Sequence, residues 1–110
     1  METNWCVMVT SAGVASAVNV MNALRLQNRR KVRIVAGDMD PLAPGLHIAD
    51  SHHVLPPVKD PDYIEELTGI AKGEGATALI PIYSGEIELI SGRMDVLRKR
   101  GIGCLVASRR

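Results

Sequence analysis

This chain alternates short, continuous apolar runs with segments whose apolar residues recur three and four positions apart. The first run covers residues 5–10 and stops at Ser11, Ala12 and Gly13, as expected of a strand buried on both faces and closed by a tight turn. From Val14 the apolar residues follow the spacing of one helical face. This alternation predicts an α/β fold, because each helix must carry the chain back across the sheet before the next strand begins.

The same two patterns continue to the end of the chain. Apolar runs predict strands at residues 5–10, 32–36, 52–55, 78–83 and 102–107. Helical spacing predicts one helix from Val14, a second from Pro61 with Asp60 as its N-cap, and a third through residues 87–101. We therefore predict a three-layer, Rossmann-like domain with a five-stranded parallel sheet in the order 3-2-1-4-5. A length of 110 residues fits a single domain over residues 1–110.

Composition and charge narrow the possible functions. The net charge of +1 gives no indication of a nucleic-acid partner, so none is expected. No apolar stretch is long enough for a membrane span, and the N-terminus does not resemble a signal peptide, which predicts a cytoplasmic protein without a membrane partner. The two cysteines are far apart and match neither a disulfide framework nor a metal motif, so both are expected to be reduced and no metal site is predicted.

Candidate chemistry lies in the loops that follow strands one, two and four, because parallel sheets bind ligands beyond the carboxyl ends of their strands. The loop that ends at Gly13 is either an anion cradle of backbone N–H groups or simply a tight turn with a hydroxyl cap. Asp38, Asp40, Glu86 and Glu88 are placed at this edge, either for a ligand or as partners of helix dipoles. An acidic edge suits an amine, a metal-bound group or ribose hydroxyls better than a bare phosphate.

A dinucleotide site is the alternative for the first loop. The dinucleotide-binding pattern places three glycines where the backbone must approach the pyrophosphate, whereas residues 11–16 contain one, Gly13. Asp38 is placed where a ribose-binding acid would follow strand two. A stand-alone nucleotide- or NAD-binding module is therefore the second hypothesis.

Several segments, in the same order along the chain, resemble the pre-ATP-grasp domain of ligases related to the carbamoyl-phosphate synthase large subunit. They are residues 9–13, 36–44, 49–50, 54–58, 60–64 and 79–81. The resemblance implies an ATP-dependent carboxylate–amine ligase, in which this domain lends loop residues to the substrate cleft. Matched by position, the implied substrate-binding residues are Ser11, Ala12, Gly13, Asp38, Asp40 and Glu86. Val14 and Ala15 stand where many relatives have two arginines, so the resemblance implies an altered substrate site.

The resemblance also implies a partner. The predicted strands and helices use the whole chain, so the ATP-grasp lobes that hold ATP and magnesium are expected in a further domain or a separate subunit, and no catalytic residue or cofactor is assigned here. We expect the chain to be a domain of a longer protein, the product of a split gene, or a free-standing binding module. An apolar connection containing Leu42, Pro44, Leu46 and Ile48, together with the loop at residues 83–86, is predicted to contact that ATP-grasp part or a second copy in a homodimer.

Overall fold

The structure, a computed structural model, describes residues 4–27 and 31–105. Within these residues, five parallel strands lie in the order β3-β2-β1-β4-β5, which confirms the predicted fold class and topology. The strands are β1 (Asn4–Val9), β2 (Lys31–Asp38), β3 (Ser51–Val54), β4 (Ala78–Ile80) and β5 (Gly103–Cys104). The helices are α1 (Ala15–Leu26), α2 (Tyr63–Glu74), α3 (Ser84–Ser91) and α4 (Met94–Lys99), with a 3₁₀ turn at Pro44–His47.

The sheet is covered on both faces, and the alternation of its side chains separates two cores. Val7 and Val9 of β1 pack on one face with Met21 of α1, and this core also takes in residues of the 3₁₀ turn. Met8 points to the opposite face, where it joins Leu67 of α2, Ile90 of α3 and Leu97 of α4. Successive strand residues point to opposite faces, so burial on both faces requires the continuous apolar runs seen in the sequence.

Most element boundaries differ from the predicted ones by a few residues, and three of the differences have a clear local reason. Helix α2 begins at Tyr63 and not at Pro61, because the Asp60 side chain accepts the Asp62 N–H at 2.8 Å and closes a turn first. Strand β4 ends at Ile80, before Pro81, which has no N–H to donate to a ladder. The predicted last helix is two helices, α3 and α4, that meet around Gly92, a residue with low helix propensity.

The connection between β2 and β3 corrects part of the predicted interface. Leu46 is only 1% exposed and belongs to the core beside α1, so its assignment to a docking surface was wrong. Its neighbour Gly45 lies so close to the loop at residues 11–13 that an added Cβ would stand 2.0 Å from the Ala12 carbonyl oxygen. The 3₁₀ turn is therefore a support for that loop, whereas Leu42, 82% exposed, remains on the surface.

Strand order also separates the two cysteines. Cys6 lies on β1 and Cys104 on β5, with β4 paired to both strands between them, and the structure has both as free thiols. Among the described residues, no helix has the length and apolar character needed to cross a membrane. The predicted strand residues 106 and 107 lie outside the described residues.

Candidate functional site

A cavity of about 550 Å³ opens at the carboxyl edge of the sheet. The strand order reverses between the neighbours β1 and β4, with β2 and β3 on one side and β5 on the other, and ligands of parallel sheets bind at such a switch point. The chain segments that follow β1, β2, β3 and β4 all contribute to its wall. The polar residues of the wall are Ser11, Asp38, Lys59, Tyr63 and Glu86. The rest of the wall is formed by Val14, Met39, Leu55, Pro56, Pro57, Val58, Tyr83 and Gly85.

Glu86, in the first turn of α3, is the buried acid of this cavity. Its side chain is fully buried, with 1% exposure, and accepts hydrogen bonds from the hydroxyl groups of Thr10 and Tyr63. Thr10 follows β1 and Tyr63 opens α2, so three elements meet at one carboxylate. These hydrogen bonds hold the Glu86 side chain in place. They also supply the partners that a buried carboxyl group requires.

Burial has the largest effect on the ionisation of the Glu86 carboxyl group. It raises the pKa of Glu86, and the nearby charge of Asp38 acts in the same direction. The hydrogen bonds from Thr10, Tyr63 and the backbone of Ile82 favour the charged form and oppose that rise. Burial and the Glu86 charge also raise the pKa of Tyr63, which keeps its hydroxyl protonated as a donor.

The second acid, Asp38, ends β2 and organises the loop after β1. One of its carboxylate oxygens accepts the Gly13 N–H at 2.8 Å, and the other accepts the Asp40 N–H at 2.8 Å. The neighbouring N–H groups are also paired, since Ala12 donates to the Gly37 carbonyl at 3.2 Å and Val14 to the Ser11 carbonyl at 3.1 Å. Asp38 therefore occupies the position at the start of α1 that an external anion would take.

The structure places the six predicted site residues in different roles. Ser11, Asp38 and Glu86 line the cavity, and Ser11 has a left-handed φ of 54°. Ala12 is buried, and Gly13 lies outside the cavity wall but fixes Asp38 through its N–H. Asp40 is exposed, lies outside the wall and accepts the Leu42 N–H at 2.9 Å.

Sequence reasoning missed the two hydroxyl partners of Glu86 and the basic residue of the wall, Lys59. Thr10 and Tyr63 are 76 and 23 positions from Glu86 along the chain, so no local spacing connects them. Their positions in the sequence could have indicated them, because Thr10 ends a predicted strand and Tyr63 lies at the start of a predicted helix, both at the predicted ligand edge. A search of that edge for buried donors would have found them.

A second polar cluster surrounds Glu74 at the end of α2. Its carboxylate accepts hydrogen bonds from Arg33 at 2.7 Å and Ser51 at 2.5 Å, and it lies 2.6 Å from His53 Nε2. These partners lower the pKa of Glu74 to about 2, Ser51 having the largest effect. The cluster ties α2 to β2 and β3. Among the described residues, no three His, Cys, Asp or Glu side chains are grouped to hold a metal ion.

A protein-family match covers most of the chain. The model described as "PylC-like, N-terminal domain" matches residues 7–105. No curated protein matches the chain at a significant level.

Solved structures share the fold at low sequence identity. Glycinamide-RNase-transformylase T from Mycobacterium tuberculosis is 19% identical with a TM-score of 0.66, and the match covers 90% of this chain and 28% of that one. The multifunctional pyruvate carboxylase from Rhizobium etli is 22% identical with a TM-score of 0.64, over 91% of this chain and 10% of that one. The chain thus matches only a small part of either protein.

Proposed function

This chain belongs to the family of PylC-like N-terminal domains, the pre-ATP-grasp domains of ATP-grasp ligases, and we propose that it forms the substrate side of a carboxylate–amine ligase of the carbamoyl-phosphate-synthase-like type. The observation that carries the proposal is the family match over residues 7–105. The chain is proposed to act with an ATP-grasp part and not to be catalytic alone.

The proposed division of labour follows from the chemistry of such ligases. The ATP-grasp part would hold ATP and magnesium, with which a carboxylate is activated as an acyl phosphate for attack by an amine or thiol. The described chain would bind and orient a substrate at its carboxyl edge, using Ser11, Asp38 and Glu86 in the cavity wall. Gly13 and Asp40 would act indirectly, because both donate backbone N–H groups to Asp38.

The surface around the cavity supports a partner at this edge. Val14, Met39 and Tyr83 line the cavity and are exposed large apolar side chains, and Leu42 follows Met39 in the same loop. Leu42 is 82% exposed and Tyr83 is 55% exposed. Apolar side chains grouped around a cavity mouth are typical of a surface that another domain covers.

Both solved relatives are much longer than the region that they share with this chain, which supports a neighbouring ATP-grasp part. The chain matches 28% of one solved relative and 10% of another, so most of each relative lies outside the region of likeness. We propose that the ATP-grasp part lies in the same polypeptide or in a separate subunit. We propose a cytoplasmic location for the complex, with Cys6 and Cys104 as free thiols, the state in which the cytosol keeps cysteines.

Association with an ATP-grasp polypeptide tests the proposal. The chain is to be expressed together with the ATP-grasp sequence encoded in the same reading frame or by a neighbouring gene, and the complex measured by size-exclusion chromatography with light scattering. We expect a stable complex of one copy each. Leu42→Asp and Tyr83→Asp should weaken it, since a charge would then be buried in the interface.

Leu26 supplies the matched control. It is 83% exposed, almost the same as Leu42, but lies at the C-terminal end of α1, away from the carboxyl edge. Leu26→Asp should leave the complex intact. Equal weakening by Leu26→Asp and Leu42→Asp, or a homodimer that excludes the ATP-grasp part, would contradict the proposal.

A further inference from the structure

The cavity wall has an unequal set of charges. Two carboxyl groups, Asp38 and Glu86, contribute to it, against one basic side chain, Lys59, within the described residues. A site with this balance attracts a cation and repels an anion.

The backbone N–H groups at the start of α1 are not free to bind an anion. The N–H groups of Ala12, Gly13 and Val14 already donate to partners within the protein. The partner of Gly13 is the Asp38 carboxylate, so a phosphate or carboxylate entering here would meet a negative charge in place of free donors.

Glu86, in contrast, can take a further donor. A carboxylate offers about four lone-pair positions, and three are used by Thr10, Tyr63 and the backbone of Ile82. Its burial and the charge of Asp38 both work against ionisation. A cation placed between the two acids would offset both effects.

The rest of the cavity wall is apolar and suits the aliphatic part of a ligand. Val14, Met39, Leu55 and Val58 line the cavity together with prolines and the ring of Tyr83. A volume of about 550 Å³ is large enough to hold a small molecule. The ligand class that meets both conditions has a polar cationic end and an apolar chain.

We propose that this cavity binds the primary ammonium group of an aliphatic amine, with the ammonium beside Asp38 and Glu86 and the chain against the apolar wall. The inference rests on the proposed function, since it assigns the amine substrate of the ligase to this chain and leaves the anionic groups to the ATP-grasp part. The proposed site selects for positive charge, so it should not bind an anion of the same size.

Three ligands of matched size test the charge preference. Pentan-1-amine, pentan-1-ol and pentanoate are titrated into the ¹⁵N-labelled 110-residue chain at pH 7, with amide shifts followed by NMR. Pentan-1-amine should shift the amides of residues 11–14, 38–39 and 83–86, and pentanol should do so more weakly. Pentanoate should leave them in place.

Variants identify the groups responsible. Glu86→Gln and Asp38→Asn should each weaken amine binding roughly tenfold, the effect of losing a hydrogen bond to a charged group. Glu88→Gln is the matched control, because Glu88 is exposed on the same helix and outside the cavity wall. Lys59→Met should have the opposite effect and tighten amine binding, which keeps the test informative if an acid variant fails to fold.

The outcomes separate this inference from the proposed function. Equal shifts with pentanoate, equal binding by Glu86→Gln and Glu88→Gln, or no shift with the amine would overturn the ammonium site. None of these results bears on the complex with the ATP-grasp part, which is measured without amine. Selective amine binding by a chain that forms no such complex would instead support the site and reject the proposed partner.

Discussion

Replacing Gly45 by alanine tests the contact that supports the first loop of the site. The added Cβ would lie 2.0 Å from the Ala12 carbonyl oxygen and 2.8 Å from Met21 Cε. The methionine end can move, but the carbonyl belongs to backbone held by the hydrogen bond from the Ala12 N–H to Gly37. The 3₁₀ turn and the loop at residues 11–13 must therefore separate.

The cost follows from that separation. Overpacking a filled core costs about 1 to 3 kcal/mol, and a clash with fixed backbone belongs at the upper end, so we expect a loss of about 2 to 3 kcal/mol in the free energy of unfolding. For a domain of this size the melting temperature should fall by roughly 10 to 20 °C. Urea denaturation and thermal melts followed by circular dichroism measure both quantities.

Gly73→Ala is the matched control, because it makes the same chemical change where the added Cβ meets nothing within 4 Å. Gly73 lies in the last turn of α2, where alanine is still the better helix former, so this variant should gain up to about 0.5 kcal/mol. The two substitutions thus have opposite expected signs. A Gly45→Ala protein as stable as the wild type would refute the close packing of the turn against the loop.

Three further predictions concern stability and are all measured by urea denaturation. Glu74→Gln should cost about 1 to 2 kcal/mol at pH 7. Because the folded pKa of about 2 lies below the ordinary glutamate value of 4.5, the wild-type advantage should be complete well above pH 4.5 and should shrink as the pH falls towards 2. An advantage independent of pH would contradict this account. Tyr63→Phe should cost about 1 to 3 kcal/mol by removing a donor from buried Glu86, and a neutral result would show that the hydrogen bond is not formed. Leu46→Asp should prevent folding, whereas Leu42→Asp should change the free energy of unfolding by less than about 0.5 kcal/mol; similar effects would contradict their different burial.

The sheet was predictable because its physical cause is visible in the sequence. Strands such as β1 and β2 are buried on both faces and so need continuous apolar runs, while helical spacing between them forces parallel connections. The carboxyl-edge position of Asp38 and Glu86 followed from the same topology. Boundaries were less predictable, since the Asp60 side chain closes a turn before α2 begins.

The interior of the site depends on contacts that no local pattern encodes. Glu86 looks like an ordinary first-turn acid in the sequence, and only the packing of β1, α2 and α3 brings Thr10 and Tyr63 to it. Leu46 was predicted to lie in an interface because the connection around it is unusually apolar, but the close approach permitted by Gly45 carries it into the core. Tertiary packing determined both outcomes.

Hydrogen exchange of the chain with and without the proposed ATP-grasp partner tests the central claim most directly, because it locates the contact surface residue by residue. The account predicts that the partner slows exchange at residues 11–14, 38–42 and 83–86, around the cavity, and leaves the C-terminal turn of α1 near Leu26 unchanged. Protection confined to the Leu26 end, or no protection in a mixture that contains an intact ATP-grasp polypeptide, would contradict it.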